Sequence, residues 1–334
     1  MENTLMMNDK TTAAQVATMN DDDKNRFARN IIDTLAGETM RAYKSRLSAF
    51  SAWCERAGRS ALPASPATVA AYLEQLEKDG KTAATISQVV AAISKAHKVE
   101  GLENPCLSEV VKTARKAARR RLGVAPHQKA AATSEVVHAL VSGIEGESLT
   151  DKRDKALLLV GFAGAFRRSE LVGLRVSDLT EEKTPEGRPV IVVTVRHSKT
   201  DQEGRGMTKA IFAARPREKR FCPVTALREW ISAAGLVGDA PLFPRIRKGG
   251  QIDAAPVPMG GDSVALIIKR RAAAAGVELE LSGHSLRRGF VTSAIGAGAS
   301  ERSIMNQTGH RSPMMVRRYI ERASVVSDNA AALL

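Results

Sequence analysis

The sequence predicts a mainly α-helical protein of two domains, an N-terminal helical bundle and a mostly helical C-terminal domain with a small antiparallel β-sheet. The chain has 334 residues, about right for two typical domains. Hydrophobic residues make up 43% of it, enough for buried cores, whereas aromatic residues make up only 4% and alanine is abundant, which favours helices. A run rich in β-branched residues at 188–196 predicts a strand of the small sheet.

The N-terminal bundle is predicted over 38–121, after a polar segment, 1–37, that we expect to be partly disordered. Within the bundle, apolar residues recur at helical spacing in four segments. Ser65 followed by Pro66 is typical of an N-cap and first helical position, so it marks the start of the second helix. The four predicted helices cover roughly 39–57, 65–79, 83–98 and 107–121.

The second domain is predicted over 132–325. Its apolar run from Ala156 to Phe162 is typical of a buried helix. The strand at 188–196 and a second one at 207–213 predict a hairpin with a polar turn between them. Helices are predicted at 134–144, 151–165, 223–234, 262–275, 284–297, 301–308 and 313–323. The short stretch 298–300 leaves open whether two helices meet there or one helix is kinked.

The charge balance indicates a polyanionic partner. The formal net charge is +14 and the pI is about 10.0. No acidic residue occurs between Lys112 and Lys129, a stretch that ends the fourth helix and enters a linker predicted over 122–131. A charge run is often a solvated face, but this length without an acid favours contact with phosphates. The candidate phosphate-contacting residues here are Arg115, Lys116, Arg119, Arg120 and Arg121.

The remaining composition argues against a secreted or membrane protein. The sequence contains no run of about 18 apolar residues, so no membrane span is predicted. The polar segment from Met1 to Lys24 has no signal-peptide core. The three cysteines, Cys54, Cys106 and Cys222, are widely spaced and fit neither a disulfide framework nor a metal site. We expect reduced thiols, either in a core or half-buried, in a cytoplasmic protein.

Two pairs of residues in the C-terminal half suggest a site for an anion. His284 and Arg287 lie three residues apart, on one face of a predicted helix and near its start, where backbone N–H groups favour anions. Arg167 follows the buried helix and lies close to Glu170. Either pair could instead be an ordinary surface histidine beside an arginine or a structural ion pair.

Two further residues have the chemistry of phosphoryl transfer. Tyr319 lies among arginines, which would stabilise a phenolate and neutralise a phosphate, although a tyrosine most often packs in a core. Lys199 lies in the predicted hairpin turn, from which its ammonium could protonate a leaving oxygen. A solvated lysine is the simpler interpretation of that position.

Taken in order, these residues resemble the motifs of the tyrosine site-specific recombinases, the phage integrase family. The family's first motif, G-x-R-x-[SA]-E-[LI], is similar to residues 164–171, with one extra residue after the glycine. Its spacing from arginine to glutamate selects Arg167 over Arg168. The second motif, H-x-x-R, matches His284 and Arg287.

The rest of the resemblance follows in sequence. The family's Gly-His/Trp element matches Gly309 and His310, its nucleophile matches Tyr319 nine residues later, and its β-hairpin lysine matches Lys199. The resemblance covers about 38–325. It implies that the N-terminal bundle is a SAM-like core-binding domain for DNA. Each motif is weak alone, but six in order at family spacing are specific.

The resemblance also implies a reaction. Tyr319 would attack a scissile phosphate and form a 3′-phosphotyrosine, while Arg167 and Arg287 hold the non-bridging oxygens. His284 would act in proton transfer at the tyrosine, and His310 would hydrogen-bond the phosphate. No cofactor is expected: the bond energy is retained in the phosphotyrosine, so the reaction would need neither ATP nor a metal.

Lys199 would protonate the leaving 5′-oxygen, and Glu170 would position the groups around it. Further residues would contact double-stranded DNA, with candidates on two helices: Lys95, Lys98, Lys269, Arg270 and Arg271. By the same resemblance, the tail 326–334 would dock onto a neighbouring copy, giving a homotetramer on two inverted-repeat DNA sites through a Holliday junction.

Three other functions are compatible with parts of this pattern. A type IB topoisomerase shares the catalytic set, but the separate bundle, basic linker and apolar tail favour a recombinase. A catalytically inactive DNA-binding regulator would have been expected to lose Arg287 or Tyr319, and both are present. An RNA-binding module lacks aromatic stacking motifs here.

Overall fold

The structure, a computed structural model, describes residues 37–124, 128–196, 206–310, 312–314 and 316–317. The chain divides into two units, Met1–His127 and Gln128–Leu334. This division falls inside the predicted linker, whose limits stay a prediction. The predicted N-terminal segment before residue 37, Lys199, Tyr319 and the tail 326–334 lie outside the described residues.

The described part of the first unit is a helical bundle. Its helices are α1 (Gly37–Arg56), α2 (Pro66–Lys78), α3 (Ala83–Val99) and α4 (Glu109–Leu122), with a 3₁₀ turn at Pro105–Leu107 before α4. The predicted helix start is confirmed, because Ser65 caps α2 by accepting the N–H of Thr68 at 3.1 Å, with Pro66 following it. Phe50, Leu73 and Ile93 are almost fully buried in its core.

The described part of the second unit is also mainly helical. Its helices are α5 (Ser134–Ser142), α6 (Leu149–Ala163), α7 (Arg168–Gly173), α8 (Pro223–Ala233), α9 (Gly261–Ala274), α10 (Ser285–Gly296) and α11 (Glu301–Thr308). The stretch around Gly298 separates α10 from α11, which settles that open alternative in favour of two helices. Gly298 adopts a positive φ of 77°, a conformation that ends a helix readily.

The sheet has three antiparallel strands in the order β1 (Leu179–Lys183), β2 (Pro189–Val195) and β3 (Met207–Phe212). The hairpin of β2 and β3 was expected from the sequence, but β1 was not. The side chains of β1 are mostly exposed and polar, so its sequence lacks the alternation of apolar and polar residues by which a strand is predicted. It forms by pairing with β2, Thr180 opposite Val192.

The core of the second unit surrounds α6. Leu157 and Leu158 have no exposed surface, and the segment from Ala156 to Gly161 is buried on all sides. Trp230 on α8 is fully buried and donates its indole N–H to the carbonyl of Leu242 at 2.8 Å. This packing fixes the C-terminal end of α6, where the candidate site begins.

Two smaller expectations can be compared with the described residues. The three cysteines are free and buried, as expected. None of the described helices is both long and apolar enough to cross a membrane.

Candidate active site

The site begins at a sharp turn after α6. Ala165 adopts a left-handed conformation with φ of 45°, which is unusual for a residue other than glycine and costs about 1 kcal/mol or more. Ala165 and the following Phe166 are buried, so the surrounding structure holds this turn in place. The chain then delivers Arg167 as the N-cap residue of α7.

Arg167 is anchored by Glu170 in the first turn of α7. The carboxylate accepts the backbone N–H of Arg167 at 2.9 Å and its Nη1 at 2.5 Å. The side chain of Glu170 is fully buried, and that of Arg167 is 14% exposed. Burial by itself would raise the pKa of Glu170, but nearby Lys209 and the hydrogen bonds from Arg167 outweigh it and lower that pKa. Glu170 is therefore a carboxylate.

The neighbouring Arg168 points elsewhere. Its Nη1 pairs with Asp262 on α9 at 2.6 Å, and its methylene groups pack over Gly283 and Gly261. The structure thus gives the two adjacent arginines different surroundings. Arg167 is the one held at the turn, as the motif spacing predicts.

The second predicted arginine reaches the same turn from α10. Arg287 is only 7% exposed and donates Nη1 to the carbonyl of Ala165 at 2.7 Å. The position of α10 depends on Gly289, because a Cβ atom there would lie 1.6 Å from the carbonyl oxygen of Ala132. Close packing at a glycine therefore brings together two arginines that are 120 residues apart in the sequence.

His284 lies at the start of α10. It is the N-cap residue and is exposed, and Ser282 accepts its backbone N–H at 3.3 Å. The hydroxyl of Ser282 thereby stabilises the turn just before the helix. His284 and Arg287 are therefore presented one turn apart.

His310 follows α11, which ends at Gly309 in a left-handed conformation. The Nδ1 atom of His310 lies 2.9 Å from the hydroxyl of buried Thr308, which donates its single proton to the carbonyl of Ile304 at 2.7 Å. We therefore predict that Nδ1 donates to Thr308 and that the neutral ring carries its proton there. In that tautomer Nε2 cannot donate to a phosphate oxygen, so the hydrogen bond predicted from His310 to the phosphate requires the other tautomer or a protonated ring.

The electrostatic surroundings keep His310 neutral. Burial lowers the pKa of its imidazole to about 4, and the positive charges of Arg287, Arg167 and Lys209 act in the same direction. Gln307, three residues earlier, holds this end of α11 by donating Nε2 to the carbonyls of Ala163 at 2.8 Å and Ala210 at 2.9 Å. His310 therefore belongs to the same cluster as the two arginines.

One member of the cluster received no role from the sequence. Lys209 alternates with Met207 and Ile211 on the inward face of β3, and its side chain has no exposed surface. Burial lowers the pKa of its ammonium to about 8, although Glu170 acts against that shift. A lysine on the apolar face of a predicted strand was the signal that could have identified it.

The predicted DNA-contacting residues of the first unit lie mostly on its surface. Lys98 is exposed at the end of α3, whereas Lys95 is half-buried. On α4, Arg115, Lys116, Arg119, Arg120 and Arg121 are all exposed. Arg121 forms two hydrogen bonds to the carboxylate of Glu77, at 2.5 and 2.7 Å, which neutralises part of this basic face.

The candidates on α9 differ among themselves. Lys269 and Arg270 are exposed, but Arg270 pairs with the buried carboxylate of Asp154. Arg271 is only 12% exposed and pairs with Asp151 at 2.6 Å and Asp154 at 2.7 Å. Arg271 therefore ties α9 to α6, a structural role that competes with the predicted contact to DNA.

Two family models match the chain. One, the phage integrase family, matches residues 131–324, and the other, the N-terminal SAM-like domain of phage integrases, matches residues 25–100. An integrase/recombinase XerD homolog of Selenomonas ruminantium is 40% identical over 306 residues, which cover 90% of this chain and 86% of the relative. The tyrosine recombinase XerC of Myxococcus xanthus is 28% identical over 196 residues, 56% of each chain.

Solved structures share the fold. The XerH site-specific recombinase bound to palindromic difH substrate, in a post-cleavage complex, aligns with a TM-score of 0.60 and 16% identity over 96% of this chain and 92% of that chain. A lambda integrase tetramer bound to a Holliday junction aligns with a TM-score of 0.60 and 16% identity over 88% of this chain and 75% of that chain. The expected fold class is confirmed.

Proposed function

This chain belongs to the phage integrase family and is a tyrosine recombinase, and we propose that Tyr319 is the nucleophile with which it cuts and rejoins DNA at a specific site. The observation that supports this site most strongly is the convergence of Arg167 and Arg287 on one buried turn. Arg167 is held by Glu170, and Arg287 by the carbonyl of Ala165. Two guanidinium groups placed together are suited to a phosphodiester, whose non-bridging oxygens each accept hydrogen bonds.

In the proposed cleavage step, the phenolic oxygen of Tyr319 attacks the phosphorus and the bond from phosphorus to the 5′-oxygen breaks. The products are a 3′-phosphotyrosine and a DNA end with a 5′-hydroxyl. His284 takes up the proton of the tyrosine, and Lys199 delivers a proton to the leaving 5′-oxygen. Arg167 and Arg287 neutralise the negative charge that develops on the non-bridging oxygens of the pentacovalent transition state.

Strand exchange would follow by the reverse chemistry. The 5′-hydroxyl of a partner strand attacks the phosphotyrosine, releases Tyr319 and restores a phosphodiester. One phosphoester bond is exchanged for another at each step, so the proposed reaction consumes no nucleotide and recruits no metal. Exchange of one strand pair produces a Holliday junction, and exchange of the second resolves it.

The proposed assembly is a homotetramer on two double-stranded DNA sites, each an inverted repeat that binds two copies. It is supported by the fold shared with a lambda integrase tetramer bound to a Holliday junction. The exposed basic residues of α4, such as Arg119 and Arg120, would contact the DNA backbone. The tail 326–334 would join neighbouring copies.

The hypothesis is tested with a duplex that carries a nick a few nucleotides from the cleavage position. Cleavage then releases a short fragment bearing the 5′-hydroxyl, which diffuses away and leaves the protein trapped on the DNA. The duplex sequence is first selected from a random library for binding to the protein. We expect a covalent protein–DNA band from the wild type that Tyr319→Phe abolishes. Tyr43→Phe, in the first unit, is the matched control and should retain the band.

Other outcomes would point elsewhere. A covalent band that persists in Tyr319→Phe would overturn the assignment of the nucleophile. Relaxation of supercoiled plasmids of any sequence, without recombination of paired sites, would indicate a type IB topoisomerase. Salt-sensitive binding without a covalent band from any of the three proteins would indicate a DNA-binding regulator.

A further inference from the structure

Lys209 occupies a position that a lysine rarely tolerates. It lies in the middle of β3 between two apolar side chains, and none of its side chain reaches the surface. An ammonium removed from water is costly unless protein groups replace its hydration. The structure provides these groups, and all of them belong to the turn that carries Arg167.

The three N–H groups of the Lys209 ammonium match three oxygen acceptors. Its Nζ lies 3.0 Å from the carbonyl of Gly164, 3.3 Å from that of Ala165 and 3.3 Å from Oε2 of Glu170. It also lies 4.6 Å from the ring centroid of Phe166, over the aromatic face. Lys209 thus contacts most of the turn from 164 to 170 and ties it to the sheet.

These contacts connect Lys209 to both arginines. Oε2 of Glu170, which Lys209 approaches, also accepts the backbone N–H of Arg167, and the other carboxylate oxygen accepts its Nη1. The carbonyl of Ala165 is shared between Lys209 and Nη1 of Arg287. Because Ala165 is in a left-handed conformation, its carbonyl needs such contacts to stay in that orientation.

We propose that Lys209 is a positioning residue for strand cleavage, which holds Arg167 through Glu170 and Arg287 through the carbonyl of Ala165. This inference rests on the proposed function, in which those two arginines hold the scissile phosphate. Lys209 is distinct from Lys199, the proposed acid, because its side chain has no exposed surface and its ammonium is held by three protein oxygens. It therefore acts on the reaction only through the groups around it.

A positioning role predicts a specific kinetic effect. Loss of Lys209 should leave DNA affinity unchanged, because most of that affinity comes from backbone contacts outside the site. It should slow the chemical step, since displacing catalytic groups by about 1 Å can cost about 100-fold in rate. A merely structural lysine would instead lower the fraction of active protein without changing the rate constant of the folded fraction.

The test is a single-turnover cleavage assay on the nicked duplex with Lys209→Met and, as a matched control, Lys183→Met on the exposed strand β1. We expect the rate constant of Lys209→Met to fall by about 10- to 100-fold. The reaction amplitude of Lys209→Met and its Kd for the duplex should stay within about twofold of the wild type. Lys183→Met should match the wild type in rate constant, amplitude and Kd. An unchanged rate constant would overturn the proposal.

A second variant covers the case in which Lys209→Met does not fold. The double variant with Glu170→Gln removes both buried charges and is compared with Glu170→Gln alone. We expect the double variant to be slower than Glu170→Gln, because the carbonyl of Ala165 loses a hydrogen-bond donor. Equal rates for the double variant and Glu170→Gln would contradict the role of Lys209.

Orthovanadate separates this proposal from the proposed function. As a tetrahedral oxyanion it should bind between the arginines, and calorimetry measures its Kd without any cleavage. We expect Lys209→Met to bind it at least about 10-fold more weakly than the wild type does. If the wild type forms no covalent product, the proposed function fails, and the orthovanadate Kd alone tests whether Lys209 positions the arginines. Weaker binding by Lys209→Met than by the wild type supports that role, and equal binding overturns it.

Discussion

Glu170 holds Arg167 at both ends of the residue, accepting its backbone N–H at 2.9 Å and its Nη1 at 2.5 Å. A single carboxylate therefore fixes both the start of α7 and the direction of the guanidinium. Because the same carboxylate faces Lys209, removing it would leave two cations together in a buried place. Much of the behaviour expected of this protein follows from that arrangement.

Glu170→Ala should destabilise the second unit by about 3–5 kcal/mol, because breaking a buried ion pair leaves its partners uncompensated. The matched control is Glu181→Ala, which removes an exposed ion pair with Arg228 and should cost less than about 1 kcal/mol. Urea unfolding followed by tryptophan fluorescence measures both. Similar small losses in the two variants would show that the buried pair contributes little.

His310 should titrate far below an ordinary histidine, with a pKa of about 4 in the absence of DNA, because it is buried among cations. In the unfolded chain the imidazole is protonated below about pH 6.5, whereas in the folded protein it stays neutral down to about pH 4. The free energy of unfolding therefore decreases as the pH falls from 6.5 to 4. Above pH 7 the imidazole has no such effect. Two-bond ¹H–¹⁵N NMR of the imidazole measures the pKa, and a value near 6.5 would contradict the electrostatic explanation.

The same spectra test the tautomer. We expect the proton on Nδ1 in the wild type and in Thr308→Ser, which keeps the hydroxyl acceptor. In Thr308→Val, which is close in shape but has no acceptor, the Nε2-protonated form should gain population. An Nε2-protonated ring in the wild type would mean that Thr308 donates to His310 rather than to Ile304.

Gly289→Ala should destabilise the second unit by about 1–3 kcal/mol and slow cleavage, because the added methyl group would push α10, and Arg287 with it, away from Ala132. Gly296→Ala is the matched control on the same helix. No heavy atom lies within 4 Å of the Cβ that it adds, so it should be neutral or slightly stabilising. Thermal unfolding and single-turnover cleavage measure the two effects, and equal stabilities would contradict the close approach.

The basic face of α4 should be visible in the salt dependence of DNA binding. Arg119→Ala should reduce the slope of log Kd against log salt by about 0.9, the value for one neutralised phosphate. Arg121→Ala should change it less, because Glu77 already compensates that charge. Fluorescence anisotropy at several salt concentrations gives both slopes. A slope unchanged in Arg119→Ala would place that side chain away from the DNA.

Much of the fold was predictable from local patterns. Most described helices of both units follow from apolar residues at helical spacing, and Ser65 with Pro66 marked the start of α2 within one residue. The short helix α7 was not predicted, because six residues are too few to show a helical period. The strand β1 was not predictable in this way, since its residues are mostly polar and exposed. Only pairing with β2 makes it a strand, and such a partner cannot be read from five residues.

The sequence by itself determined which residues are chemically suited to the reaction. Arg167, Glu170, Arg287 and His310 were identified by their match, in order and spacing, to the motifs of the recombinase family, and the structure places the four in one cluster. Their roles, like those of Lys199 and Tyr319, stay predictions. Local motifs suffice to single these residues out because each carries a charge or a proton that phosphoryl transfer can use.

Only the tertiary structure decided how these groups are held. The left-handed turn at Ala165, the buried ammonium of Lys209 and the hydroxyl of Thr308 each depend on a contact between segments or on backbone geometry. Burial is what gives them their effect, because a hydrogen bond or a charge removed from water is stronger and more strictly oriented than the same group at the surface. Burial is a property of packing, and packing joins residues that the sequence keeps far apart.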